Sequence, residues 1–215
     1  MKHFAVLGES LSHTLSPDIH SRIFKLLGLD CSYGVLEVSR ADFKGIRNIL
    51  THKAYSGINV TIPYKELIIP YLDHISPEAS RIGAVNTVSI EKGLLTGYNT
   101  DYYGFKLMLK HRGIEVKDKD ITVFGSGGGA KAVIAYLIDG KAKSVNVVSR
   151  NKPQLLTLKE RFREINILTR EHEILGDVAV NCTPVGMYPH ICNSIIDSKI
   201  ASSFEALVDL VYNPV

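Results

Sequence analysis

Two charged residues at the ends of apolar runs are the first candidates for chemistry. Asn59-Val60-Thr61-Ile62-Pro63-Tyr64-Lys65 places a lysine one helical turn past a short buried-type run, at the carboxyl edge where open α/β sheets bind ligands. An ammonium there is a candidate proton donor to a substrate oxygen. Gly97-Tyr98-Asn99-Thr100-Asp101 ends another such run and delivers a carboxylate at a strand-to-helix junction. If the two meet, Asp101 would hold the Lys65 ammonium against that oxygen. The plainer alternatives are a surface lysine and an aspartate that only favours the dipole of the helix it opens. Polar residues of the same kind stand in His13-Thr14-Leu15-Ser16 and Gly83-Ala84-Val85-Asn86-Thr87. Ser16 is accounted for as a helix cap, whereas Thr14 and Asn86 have no such account.

A second constellation is built of small residues. Gly125-Ser126-Gly127-Gly128-Gly129-Ala130 fits G-x-G-x-x-A, with an apolar run before it and a helical period after it. In that pattern the first glycine permits a tight turn, the second lets backbone approach a pyrophosphate, and the small third residue lets helix pack on strand. The helix N-terminus then offers N–H groups to the phosphate. The residue ending the next strand selects the dinucleotide, because it meets the adenosine ribose. An acid would favour NAD, but the segment reads Val147-Val148-Ser149-Arg150-Asn151-Lys152, with two cations suited to a 2′-phosphate. NADP is therefore the expected cofactor, the alternative being that Arg150 is a solvated loop residue.

The elements that must position these groups follow from the apolar period. Strands are expected at Phe4 to Gly8, Tyr33 to Val38 and Gly57 to Val60. Between the first two, Ser16 as N-cap, Pro17 as the first helical residue and Gly28 after Leu26-Leu27 bound a helix. Val85 to Ile90 and Leu94 to Gly97 around Glu91-Lys92-Gly93 read as a hairpin, and Thr100 to Arg112 as a helix leading into a second domain. There the order is strand Ile121 to Phe124, helix Ala130 to Ile138, strand Ser144 to Val148, helix Gln154 to Phe162, and strands Val178 to Val180 and Leu207 to Leu210. The fold class is α/β: an open α/β substrate domain over residues 1–103, then a Rossmann-like domain over 104–215.

Composition narrows the partners. Twenty-five Lys and Arg against 22 Asp and Glu give a net charge of +3, too small and too evenly spread for nucleic acid or a polybasic membrane contact. The opening run Phe4 to Leu7 is shorter than a secretory core or a membrane span. Cys31, Cys182 and Cys192 form no CxxC or Cys/His spacing, which predicts a reducing cytoplasm and no structural metal. A small-molecule partner is the remaining expectation, with the chain a monomer or homodimer.

Taken together, these segments resemble the shikimate dehydrogenase family along nearly the whole chain. Ser12-His13-Thr14-Leu15-Ser16-Pro17 looks like its carboxylate-binding segment, with Thr14 where serine is usual. Asn59 to Lys65 looks like N-V-T-x-P-x-K, Gly83 to Thr87 like G-A-V-N-T, and Asn99 to Asp101 like N-T-D. Asn181 to Met187 is similar to the N-A-T-x-x-G-M beside the nicotinamide, and Asp209 to Pro214 to the family's late strand and loop. The resemblance implies that Thr14 and Ser16 bind the substrate carboxylate, that Thr61, Asn86, Asp101 and Tyr212 contact substrate with Asn59 in support, and that Lys65 and Asp101 are the catalytic pair. It also implies that NADP is held by Gly125, Ser126, Gly127, Gly128, Gly129, Ala130, Ser149, Arg150, Asn151, Lys152 and Thr183, with Leu210 near the nicotinamide. The family pattern continues through a G-x-x-M-L-V-x-Q segment not found here, so the second domain is expected to be C-terminally incomplete. The implied activity is NADPH-dependent reduction of 3-dehydroshikimate. A quinate/shikimate dehydrogenase and a non-catalytic NADP-binding module are the rival expectations.

Overall fold

The computed structural model describes residues 1–12, 14–168 and 174–213; His13 and Pro214, which belong to two of the motifs above, lie outside them. The chain divides into two compact units, Met1–Thr100 and Asp101–Val215.

In the first unit the elements are β1 (Lys2–Gly8), α1 (Ser16–Leu26), β2 (Cys31–Glu37), α2 (Ile46–His52), β3 (Tyr55–Val60), α3 (Tyr64–Leu67), β4 (His74–Ile75), α4 (Pro77–Ile82), β5 (Thr87–Glu91) and β6 (Leu94–Tyr98). They form one six-stranded sheet of order β2-β1-β3-β5-β6-β4. β1 runs parallel to both neighbours, and β5 is antiparallel to β3 and β6. The last four residues of β1 are buried, as expected for a strand covered on both faces. Its core joins Leu7, Ile58, Val60 and Leu95 to Phe43, Ile46 and Leu50. The chain leaves β1 toward β2 on one side and returns with β3 on the other, so the carboxyl ends of β1 and β3 form a topological switch point.

Several local expectations change. The cap of α1 is Leu15, without a side-chain cap bond, and Ser16 is already helical. The reason is local: Thr14 Oγ1 accepts the Ser16 N–H at 3.3 Å, so the residue two places earlier serves the first free amide. The other end of α1 is a Schellman close, with Gly28 at φ +63° and N–H bonds from Gly28 to Lys25 O and from Leu29 to Phe24 O. The hairpin turn is two residues, Lys92 and Gly93 at φ 52° and 82°, and Glu91 pairs with Leu94, the primed geometry that suits strand twist.

The second unit contains α5 (Asp101–His111), β7 (Asp120–Phe124), α6 (Gly128–Asp139), β8 (Ser144–Val148), α7 (Lys152–Arg161), β9 (Asn166–Ile167), β10 (Val178–Asn181), α8 (Ser198–Ala201) and β11 (Ala206–Asp209). Its five strands are parallel in the order β11-β10-β7-β8-β9. That is a Rossmann half, with its switch point between β7 and β10. α6 and α7 each begin two residues earlier than the apolar period indicated, because small or polar residues (Gly128 and Gly129; Lys152 and Pro153) fill their first turns. α6 is buried from Ala130 to Ala135, and the small third residue of the glycine pattern, Ala130, is fully covered.

Candidate active site

At the switch point of the first unit, Thr14 and Ser16 stand where the chain enters α1, while Asn59, Thr61 and Lys65 stand at and beyond the end of β3. The Thr61 N–H donates to Leu7 O at 2.9 Å, closing β3 onto the last turn of β1. Lys65 is half-buried in α3, and its carbonyl accepts the Val85 N–H at 2.7 Å. This bond carries the α4–β5 connection, with Asn86 in it, to the same edge. Asn86 is fixed on both sides: its carbonyl accepts from Val60 N and its N–H donates to Tyr98 O. Its side chain is buried, accepting the Thr100 N–H and donating to Thr100 Oγ1, both at 2.9 Å. Asn86 and Thr14 therefore do have structural work, contrary to the sequence reading, and Ser16 is relieved of capping.

The side chains at this edge are linked. Tyr33 donates to Asn59 Oδ1 at 2.6 Å, Asn59 Nδ2 donates to Thr87 Oγ1 at 3.3 Å, and the Thr87 hydroxyl donates to Asn86 Oδ1 at 3.0 Å. Asn99 buries its amide against Ala84 O at 3.0 Å, holding the loop that precedes Asn86. The result is an edge lined with hydroxyls and amides around one lysine, suited to a small polyhydroxylated anion. Asp101, proposed to partner Lys65, is the first residue of α5 and belongs to the second unit.

The glycine loop occupies the switch point of the second unit. Gly125 has φ +110°, and a Cβ on it would meet the Cys182 backbone at 3.2 Å, so the turn after β7 admits only glycine. Gly127 caps α6 without a side-chain bond. A Cβ on Gly127 or Gly129 would meet no atom within 4 Å. The exposed backbone and open first-turn amides fit a dinucleotide pyrophosphate. Ser126, nearly fully buried, contacts Ser149 Oγ at 2.9 Å and donates to Gln154 Oε1 at 2.9 Å. This ties the phosphate loop to the segment after β8. There Asn151 caps α7 by accepting the Gln154 N–H at 3.1 Å, and Arg150 and Lys152 are exposed.

On the other side of β7, buried Asn181 shapes the loop after β10. Its Oδ1 accepts from the Thr183 N–H and hydroxyl at 2.9 and 2.7 Å, while Nδ2 donates to Val185 O and Asp209 Oδ1. Leu210 N donates to Asn181 O at 3.0 Å. Thr183 and Leu210 are thus brought together at the ends of β10 and β11, followed by Tyr212, which is 63% exposed. Cys182, between Asn181 and Thr183, has its thiol pushed up by burial and then by the Asp209 and Asp101 carboxylates.

Sequence reasoning named most of the site's hydroxyls but missed Tyr33, Thr87 and Thr100, and named Ser126 for cofactor binding without its ties to Ser149 and Gln154. Their signal lies in strand register rather than spacing: β1 pairs Phe4 with Tyr33 while β3 pairs Asn59 with Thr87.

The family profile described as shikimate dehydrogenase substrate binding domain matches residues 6–88. The shikimate dehydrogenase (NADP(+)) of Clostridium beijerinckii is 41% identical over 214 residues, spanning 100% of this chain and 79% of that protein. The crystal structure of shikimate dehydrogenase 1 from Peptoclostridium difficile superposes with a TM-score of 0.93 at 39% identity, covering 100% of this chain and 79% of that one. The shikimate 5-dehydrogenase of Thermus thermophilus, solved in complex with NADP(H) and shikimate, gives 0.88 at 36% identity, covering 100% and 80%. With sequence likeness along its full length and both units reproduced, this chain belongs to the shikimate dehydrogenase family.

Proposed function

We propose that this chain interconverts shikimate and 3-dehydroshikimate with NADP, a step of aromatic amino-acid biosynthesis. The observation that carries the reading is the coincidence, in one chain, of a hydroxyl- and amide-lined edge around Lys65 with a glycine loop followed by Ser149, Arg150 and Lys152. A binding module of unrelated function has no need of the first set.

Bound NADPH supplies the hydride that reduces the ring ketone. The remaining work falls to the protein. Thr14 and Ser16 hold the substrate carboxylate by their hydroxyls, and Thr61, Asn86 and Tyr212 hold ring hydroxyls, with Asn59 in support. Lys65 gives its proton to the oxygen that becomes the new hydroxyl, and Asp101 is assigned as the second member of the catalytic pair. Gly125 to Ala130 bind the pyrophosphate, Ser149 to Lys152 the adenosine end, and Thr183 and Leu210 the nicotinamide end.

The test is absorbance at 340 nm with shikimate and NADP, run beside quinate and beside NAD. Shikimate turnover selective for NADP supports the reading. Equal use of quinate would move it to a quinate/shikimate dehydrogenase, and cofactor binding with no turnover on either acid would replace it with a binding module.

A further inference from the structure

Tyr33 lies outside every motif that pointed to the site, yet it joins two of the segments that build it. Its hydroxyl donates to Asn59 Oδ1 at 2.6 Å, and the Ser16 hydroxyl stands close enough to offset part of the rise that burial gives the phenol's pKa. Its ring stacks on His20 with centroids 4.0 Å apart and planes 11° from parallel, and His20 Nδ1 meets Ser16 O at 2.9 Å. Ser16 is thereby held by its carbonyl, through the imidazole packed on that phenol, with its hydroxyl beside the phenol.

We infer that Tyr33 is a positioning residue that aligns the Ser16 hydroxyl and the Asn59 amide for the carboxylate end of the substrate. The inference rests on the function proposed above and assigns a part to a residue that acts through Ser16 and Asn59. The chemistry explains why a phenol suits this place. A carboxylate only accepts hydrogen bonds, so Ser16 must turn its proton toward it. The Ser16 oxygen then needs a donor, and Tyr33 supplies one by rotating its O–H from Asn59 to Ser16. The Asn59 amide, presenting nitrogen in place of oxygen, completes the exchange by donating to the phenol. A chain of donors all pointing toward the anion is stronger than its separate bonds. Burial raises the Tyr33 pKa to about 12, so the phenol keeps the proton this relay needs.

The experiment is a double-mutant cycle of Tyr33→Phe and Ser16→Ala, with shikimate and NADPH affinities measured by calorimetry on the whole chain and melting followed in parallel. Phenylalanine preserves the ring stacked on His20. Expected is a roughly tenfold loss of shikimate affinity in Tyr33→Phe, the scale of one charge-assisted hydrogen bond, with NADPH affinity unchanged. In the Ser16→Ala background the same replacement should cost less than about twofold, because the two residues act as one unit. A full tenfold loss in that background, no loss in the single variant, or an equal loss of NADPH affinity would overturn the inference. A parent chain that binds no shikimate would instead overturn the functional reading on which it rests.

Discussion

Lys65 carries the proposed proton transfer, so its replacement separates chemistry from binding. Lys65→Ala is expected to lower kcat by roughly 10²-fold or more, as for a lost acid–base group, with shikimate affinity little changed; turnover near that of the parent would remove Lys65 from the mechanism. The cysteines make a second test at this scale. Cys192 is exposed, whereas the Cys182 thiol is raised by burial and two carboxylates. Since only the thiolate reacts, iodoacetamide at pH 8 should label Cys192 well before Cys182, as read by peptide mass spectrometry. Equal rates would mean that the β10 loop opens to solvent. Residue types were legible in the sequence here, but their duties were not. Ser16 read as a cap and Thr14 as unengaged, whereas Leu15 takes the cap position and Thr14 Oγ1 accepts the Ser16 N–H at 3.3 Å.

Strand β7, the glycine turn and α6 act together as one element, and two substitutions divide its conformational duty from its binding duty. Gly125→Ala forces a side chain to φ +110° against the Cys182 backbone. It should cost about 1–3 kcal/mol of stability and abolish NADPH binding with it. Gly127→Ala places a methyl where no protein atom lies within 4 Å, so melting should barely change while NADPH affinity, followed by nucleotide fluorescence, falls about tenfold through loss of the close approach. Equal destabilisation by both would show that the loop is shaped for folding alone. This element was readable in advance because its turn is local: a glycine that must take positive φ and a helix that begins at once. Its start was misplaced by two residues because Gly128 and Gly129 carry no apolar signal.

At the scale of the molecule, ligand binding and stability are linked. NADP binds only folded protein, so at about a hundredfold excess over Kd it should add about 2.7 kcal/mol. Calorimetry should show an upward shift of the transition, which NAD at equal concentration reproduces only weakly, since no acid ends β8 to meet a 2′-hydroxyl. Matching shifts would exclude Arg150 and Lys152 from cofactor selection. No helix among the described residues is long and apolar enough to cross a membrane. The sequence by itself determined the α/β class, the principal strands and helices around the two candidate sites, the glycine turn and the preference for NADP, because each depends on neighbouring residues or on one strand's end; it did not show the short elements α2, α3, β4, α4, β9 and α8. Only the tertiary structure decided which polar side chains work together. Tyr33 meets Asn59 across 26 residues and Asn59 meets Thr87 across 28, and such pairings exist only once sheet register sets β1, β2, β3 and β5 side by side, which no local period encodes.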